Sequence, residues 1–388
     1  MINYIRKWIF VPLLFLGVLF PTSVGEITNI QYYYFAFVLL FCCYFFIPKA
    51  GTSWNIVAFL LVNILLILFT ITASTTFPTY SFGIFPSFFL LTLSFFLNLK
   101  EVNSYKHIQL SFTLITFIII ILGGGIVLQN EFIVNFIKRN YTASYDDLVP
   151  NMLALRKPVI TFATHSVAAL FIFLFFFLNL WTFNKTAKII YFVNSMILLV
   201  LLFFIRSNTS IFYCGISIIL LFFYLGKQKR LTLLPILGVF IIFLVFLMGN
   251  DSIRELFFSF NVDSILSSDK NGFSARYSTQ SPLLPTINYI LNNPFSPVGL
   301  TVSDKLYYSD SGFILYTLRG TIVLTLVIYY SFYRFIKANV INRNLGLVLF
   351  LVIIIFEIGY PILINTRFLF LIPFIIVYIN YLTVHYEK

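Results

Sequence analysis

The sequence predicts an all-α, polytopic membrane protein with about twelve transmembrane helices, and three observations carry that prediction. The first is composition: 60% of the residues are hydrophobic, 20% aromatic and only 10% charged, with a mean hydropathy of +0.97. A water-soluble domain carries about 25% charged residues, so this chain has too little polar surface to cover itself in water. The second is continuity. The apolar runs last about twenty residues without the alternation that a barrel strand needs, and hydrocarbon admits only helices or closed barrels. The third is charge placement, in short basic clusters between the runs, as cytoplasmic loops require.

Taken in order, the expected spans are Trp8–Val24, Ile30–Phe46, Trp54–Thr72, Phe82–Leu99, Ile108–Leu128 and Val159–Phe183, then Ile189–Ile205, Thr209–Leu225, Leu231–Gly249, Ser311–Phe335, Leu345–Leu363 and Arg367–Tyr386. Each crosses, or nearly crosses, a core of about 30 Å at about 1.5 Å per residue. Arg6 and Lys7 before the first span and Ser23-Val24-Gly25 after it also match a cleavable signal. Retention as a membrane helix is the preferred reading, and cleavage would leave the remaining topology unchanged.

With the N-terminus inside, the cytoplasmic segments hold fourteen basic residues, from Arg6 and Lys7 to Arg343 and Lys388, against two acids, Glu101 and Glu387. The outside segments hold ten acids. One alternation satisfies the whole chain, which places both termini in the cytoplasm. Two long outside loops follow, at about 129–158 and 250–310, attached to a single transmembrane domain of residues 1–388. Loops of that length are usually functional or disordered. In the second, Pro282, Pro285, Pro294 and Pro297 lie among apolar and aromatic residues, which suggests a structured cap rather than a solvated tail.

The net charge of +12 invites a nucleic-acid partner, but its distribution at span ends points to a lipid bilayer instead. Cys42, Cys43 and Cys214 all lie inside apolar runs, and His107, His165 and His385 are far apart. No disulfide framework, metal site or cofactor is expected.

Ionisable residues at membrane depth are costly and mark functional sites. His165 falls about six residues inside its expected span, Arg319 about eight inside and Glu357 about six from the outer end, all roughly 9–12 Å below the outer boundary. Arg206 and Arg367 flank helix ends on the same side, and Arg156 and Arg276 belong to the two long loops. The shared depth predicts one polar pocket opening outward. Arginine suits an anionic phosphate there, because its fork matches two oxygens and keeps its charge. Plainer readings stand beside this one. Arg319 and Glu357 would pair with each other, His165 would donate to a neighbouring carbonyl, and Arg206 and Arg367 would snorkel to headgroups. Gly123-Gly124-Gly125 would make a close helix contact.

Three stretches in these positions resemble the O-antigen polymerases (Wzy), relatives of the O-antigen ligases. Arg156-Lys157-Pro158 through His165-Ser166 looks like the family's entry into a long helix. Ser274-Ala275-Arg276, with Asn293-Pro294-Phe295 and Val298-Gly299-Leu300, resembles its large loop. Ser309-Asp310-Ser311-Gly312-Phe313 followed by Gly320 resembles its re-entry into the membrane. Ile205-Arg206-Ser207-Asn208-Thr209 is similar to the family's Ser-Arg-Thr segment with Ser and Arg exchanged.

The resemblance implies a GT-C-like helical bundle in the bacterial cytoplasmic membrane. It implies glycosyl transfer at the outer face, from one polyprenyl-pyrophosphate-linked oligosaccharide to a sugar hydroxyl of another. Asp310 or His165 would take the hydroxyl proton. Arg276 and Arg319, then Arg156 and Arg206, would hold the pyrophosphate, with Glu357 and Arg367 in support. A chain-length regulator and a flippase are candidate partners. The competing readings are an O-antigen ligase, a lipid-linked oligosaccharide flippase (Wzx) and a solute permease. A transporter needs polar residues through the whole depth, whereas charge here is confined to the outer half.

Reporter fusions after Lys106, Arg230 and Arg343 should read cytoplasm, and fusions near Tyr145 and Lys270 should read outside. A cytoplasmic signal at Lys270 would overturn the assignment of the outer face.

Overall fold

The computed structural model describes residues 53–80, 84–100, 106–141, 148–162, 164–225, 283–303, 311–365 and 367–386, with a few residues between 11 and 19 and at 281 and 306. The expected spans 30–46 and 231–249, most of 8–24, and the candidate residues Arg276 and Asp310 lie outside the described residues. In chain order come α1 (Ser53–Ala73), β1 (Thr79–Tyr80), α2 (Phe85–Ser94), α3 (Lys106–Val127), α4 (Glu131–Tyr141) and α5 (Leu148–Ala154). Next are α6 (His165–Thr186), α7 (Ile189–Ile205), α8 (Asn208–Leu225) and α9 (Leu284–Asn292). The chain closes with β2 (Thr301–Val302), α10 (Gly312–Asn339), α11 (Arg343–Glu357), a 3₁₀ turn (Ile362–Ile364) and α12 (Phe368–Tyr386).

The chain is predominantly helical and membrane-embedded. Among the described residues α1, α3, α6, α10 and α12 are long and apolar enough to cross a bilayer, and α2, α7 and α8 form shorter apolar helices. On α1, Ile56, Leu60, Ile64, Ile67 and Ile71 are exposed while Ala58, Val62 and Leu66 are buried. That is the helical repeat with the apolar stripe turned outward as well as inward. In water such a patch would be an aggregation site; in a bilayer it is the lipid face.

The chain divides into two compact units. One comprises residues 1–20, 27–113 and 279–388, the other 21–26 and 114–278. In the first, α12 is buried along nearly its whole length, and α10 packs against α1 and α11. In the second, α6 is buried almost all round by α7 and α8. Hydrocarbon tails give no hydrophobic drive for helices to associate, so close packing and polar contacts take that role. Asn63 Nδ2 donates to Thr92 Oγ1 at 3.2 Å between α1 and α2. Trp54 Nε1 donates to Ser331 at 3.1 Å between α1 and α10, and Asn179 Nδ2 to Thr116 at 3.3 Å between α6 and α3. The triple glycine also serves packing: a Cβ on Gly123 would stand 2.7 Å from Leu201 Cδ1, and one on Gly125 2.1 Å from Ile133 Cδ1.

The ends of α1 and α7 fall within a residue of expectation, but four expected spans start late, end early or break. The run Phe82–Leu99 holds only the ten residues of α2, about 15 Å of helix, after which the chain turns and Leu99 N–H is taken by Asn339 Oδ1 at 2.7 Å. The run from Val159 does not become helical until His165. Pro158 has no N–H to give, Ile160 has φ 53°, and Thr164 is extended. The run Leu345–Leu363 leaves the helix at Glu357, ahead of Pro361. Finally α10 is broken at Gly320 and Thr321, the latter at φ 66°, ψ 178°.

Two buried asparagines close the connection between α10 and α11 in the first unit. Asn380 accepts from Ile341 N–H at 2.9 Å and donates to Asn339 O at 2.7 Å. Asn380 itself is fully buried, and Asn380→Ala leaves both backbone groups without this partner, a loss of about 1–3 kcal/mol, which should lower the midpoint of thermal unfolding in detergent. An unchanged midpoint would mean that this connection is not closed by Asn380.

Candidate functional site

In the second unit the local fold gathers positive charge at one end of three consecutive helices. Because α7 returns antiparallel between them, α6 and α8 run parallel and start at the same end, with Thr209 Oγ1 3.5 Å from Ser166 Oγ. Each start leaves backbone N–H groups without helical partners and carries the positive end of a helix dipole. A reciprocal serine cap fixes α8: Ser207 N–H donates to Ser210 Oγ at 2.9 Å and Ser210 N–H to Ser207 Oγ at 3.1 Å.

Arg206 caps the end of α7 in the left-handed region, at φ 49°, with its N–H donating to Phe203 O. One arm of its guanidinium donates to Leu155 O. That carbonyl belongs to the turn after α5, in which Arg156 also has a positive φ of 58°. The turn delivers Arg156 and Lys157 half-buried to the same neighbourhood. Burial lowers the Lys157 pKa, and the Arg206 charge lowers it further, so the two cations lie within electrostatic reach. Burial lowers the Arg206 pKa as well, and a guanidinium stays charged at any accessible pH. His165 is the first residue of α6 rather than a residue deep inside it, and it is half-buried beside Ser166. Two helix starts and three cations make a place suited to a phosphate oxyanion.

The first unit holds a different polar cluster. Glu357, fully buried at the end of α11, accepts from Leu363 N–H at 2.7 Å, Tyr329 Oη at 3.1 Å and Tyr316 Oη at 3.3 Å. Gly312 lies against it: a Cβ there would stand 1.6 Å from Glu357 Oε2. Arg319, also fully buried, donates from Nη1 to Gly299 O at 2.8 Å and to Thr301 O at 2.5 Å. Arg319 and Glu357 thus take different partners, and the expectation that they pair with each other gives way to two separate anchors. Arg367 is 2% exposed, so it is not the headgroup anchor that its place at a helix end suggested.

Arg156, His165 and Arg206 therefore belong to one unit, while Arg319, Glu357 and Arg367 belong to the other. The depth count behind a common pocket changes for two of its three members, because His165 begins a helix and Glu357 ends one. Lys157 is the residue that sequence reasoning left unassigned. Its signal was present in the Arg-Lys-Pro string at a loop-to-helix boundary, but nothing in the string shows that Arg206 comes to it.

Two measurements check these clusters. Arg206→Gln removes a positive neighbour and should raise the Lys157 pKa, so at a fixed alkaline pH less free amine is present and labelling of Lys157 by an amine reagent slows. Faster or unchanged labelling would separate the two residues. Gly312→Ala should displace the Glu357 carboxylate and destabilise the protein by about 1–3 kcal/mol, read as a lower unfolding midpoint. Comparison of the chain with protein families, curated proteins and solved structures gives no match.

Proposed function

We propose that this chain is a glycosyltransferase that polymerises polyprenyl-pyrophosphate-linked oligosaccharide repeat units into O-antigen or capsular polysaccharide at the outer face of the bacterial cytoplasmic membrane. The observation that carries the reading is the pair of parallel helix starts, α6 and α8, flanked by Lys157 and Arg206 with Arg156 in the adjoining turn. A membrane-embedded chain with such a place at the end of its helices is suited to a lipid-linked phosphate. The resemblance to O-antigen polymerases supplies the class of reaction.

In that reaction the sugar hydroxyl of one lipid-linked unit attacks the anomeric carbon of another. The bond from that carbon to the pyrophosphate oxygen breaks, and the polyprenyl pyrophosphate leaves with the bonding electrons. Negative charge grows on the leaving group, and fixed cations and helix N–H groups stabilise it as it forms. The hydroxyl proton passes to His165, at the start of α6, or to Asp310, which enters from the resemblance alone. Lys157 joins Arg156 and Arg206 at the pyrophosphate, and Arg276 stays in that role from the resemblance. Arg319 holds the backbone of the second long loop at Gly299 and Thr301, which makes it a positioning residue for the cap.

One observation favours a flippase instead: α10 is discontinuous at Gly320 and Thr321, with buried Arg319 beside the break. Broken helices are a common device of transporters. Deletion of the gene separates the readings. A polymerase null should leave single repeat units on the final acceptor and no ladder, whereas a flippase null should hold single units on the polyprenyl carrier at the inner face. Arg206→Ala and Lys157→Ala should each cut polymer formation by about 10²–10³-fold at unchanged protein level. Full ladders from both variants would remove this site from the reaction.

A further inference from the structure

The first long loop contains a helix whose surroundings the reaction does not explain. α3 is 22 residues long, about 33 Å, so one crossing of a hydrocarbon core of about 30 Å ends near Val127. The chain then reverses within three residues. Gln129 has φ 55°, Asn130 N–H returns to Gly125 O at 2.8 Å, and Asn130 Oδ1 accepts from Ile133 N–H at 3.2 Å. Ile133 closes on Gly125, where a Cβ would stand only 2.1 Å away. α4 is therefore folded back tightly at the level where α3 leaves the hydrocarbon.

Three chemically distinct faces run along α4. Ile137 and Tyr141, four residues apart, are buried with Ile126, Met152, Leu153 and Val159, and Ile133 and Val134 pack beside them. Glu131, Asn135 and Lys138, spaced by four and three, share a second and exposed face. Phe132 and Phe136, again four apart, share the third, at 81% and 41% exposure. Leu128, 75% exposed, sits at the turn between α4 and α3, whose Leu114, Phe117 and Ile121 are exposed as well. The third face is thus an exposed apolar face that follows, after one tight turn, the exposed apolar stripe of a helix long enough to span a membrane. Arg139, in the last turn, lies at the edge between the apolar and the polar face, where a basic side chain meets headgroup phosphates.

We infer that α4 is an interfacial helix that docks on the lipid surface itself, with Phe132 and Phe136 among the upper acyl chains, Arg139 at the phosphates and Glu131, Asn135 and Lys138 in water. The second long loop also holds a short helix with exposed apolar residues at its end. There α9 packs Tyr289 and Ile290 against Val298 and Leu318, and it turns out Leu291 and, just beyond its end, Phe295, at 70% and 89% exposure. The first long loop so places a helix at the boundary rather than in bulk water, a position matched to substrates whose lipid tails stay in the membrane.

The test places a nitroxide at Phe132→Cys or Asn135→Cys in the full chain, with Cys42, Cys43 and Cys214 replaced by alanine, in vesicles of phosphatidylethanolamine and phosphatidylglycerol. Relaxation by oxygen should exceed relaxation by a water-soluble nickel chelate at 132, and that order should reverse at 135. Nickel access at 132 equal to that at 135 overturns the proposal in favour of an aqueous loop. A label at 132 that neither reagent reaches overturns it in favour of a protein partner. If the cysteine-free chain does not fold, a benzophenone amino acid at position 132 or 135 of the natural chain answers in its place. Phospholipid adducts at 132 and none at 135 support the proposal, and any other pattern overturns it.

Discussion

Inside hydrocarbon a backbone N–H or C=O has no water to turn to, and leaving one unpaired costs several kcal/mol. Several breaks in this chain meet that constraint with a side chain or a compact turn. Where α2 gives out, Asn339 receives Leu99 N–H. Past the end of α11, Glu357 receives Leu363 N–H. Where the loop enters β2, Arg319 donates to two carbonyls and Thr70 Oγ1 accepts from Leu300 N–H at 2.8 Å. The buried polar residues are, to this extent, the price of bending a chain that hydrocarbon would rather keep straight.

This view changes what an arginine at membrane depth signifies. Arg319 drew attention because ionisable groups in spans are rare and functional. Its planar fork suits bidentate contacts, and here it meets neighbouring carbonyls of one loop. Gly299, at φ 56°, brings that loop so close to α1 that a Cβ would stand 2.3 Å from Thr70 N. A glycine, a threonine and an arginine together hold the loop in place, and β2 then pairs with β1 through Thr79 and Val302.

The helices themselves were legible because length and continuous hydropathy are local properties: α1 and α7 occupy the runs that predicted them. The ends were not, since each depends on a partner far away in sequence, 240 residues for Leu99 and Asn339. An apolar string such as Val159 to Phe162 reads as helix until Pro158 and the turn at Ile160 are known to start it late. The same limit applies to the site. Arg156, His165 and Arg206 were individually visible as unusual residues, but counting depth from hydropathy edges misplaced His165 and Glu357. The parallel starts of α6 and α8 were beyond the reach of composition, because they follow from α7 folding back between them.

The connections on either side of α7 are two residues each, Ala187-Lys188 and Arg206-Ser207, and in each the first residue adopts a left-handed conformation without being glycine. Such positions are unfavourable for ordinary side chains and persist only when the surroundings fix them. With no slack at either joint, α6, α7 and α8 behave as one template, and the spacing between the two helix starts is set when the chain folds. A ligand arriving at that edge finds its contacts already spaced. Discrimination among ligands there would then be a question of geometric match.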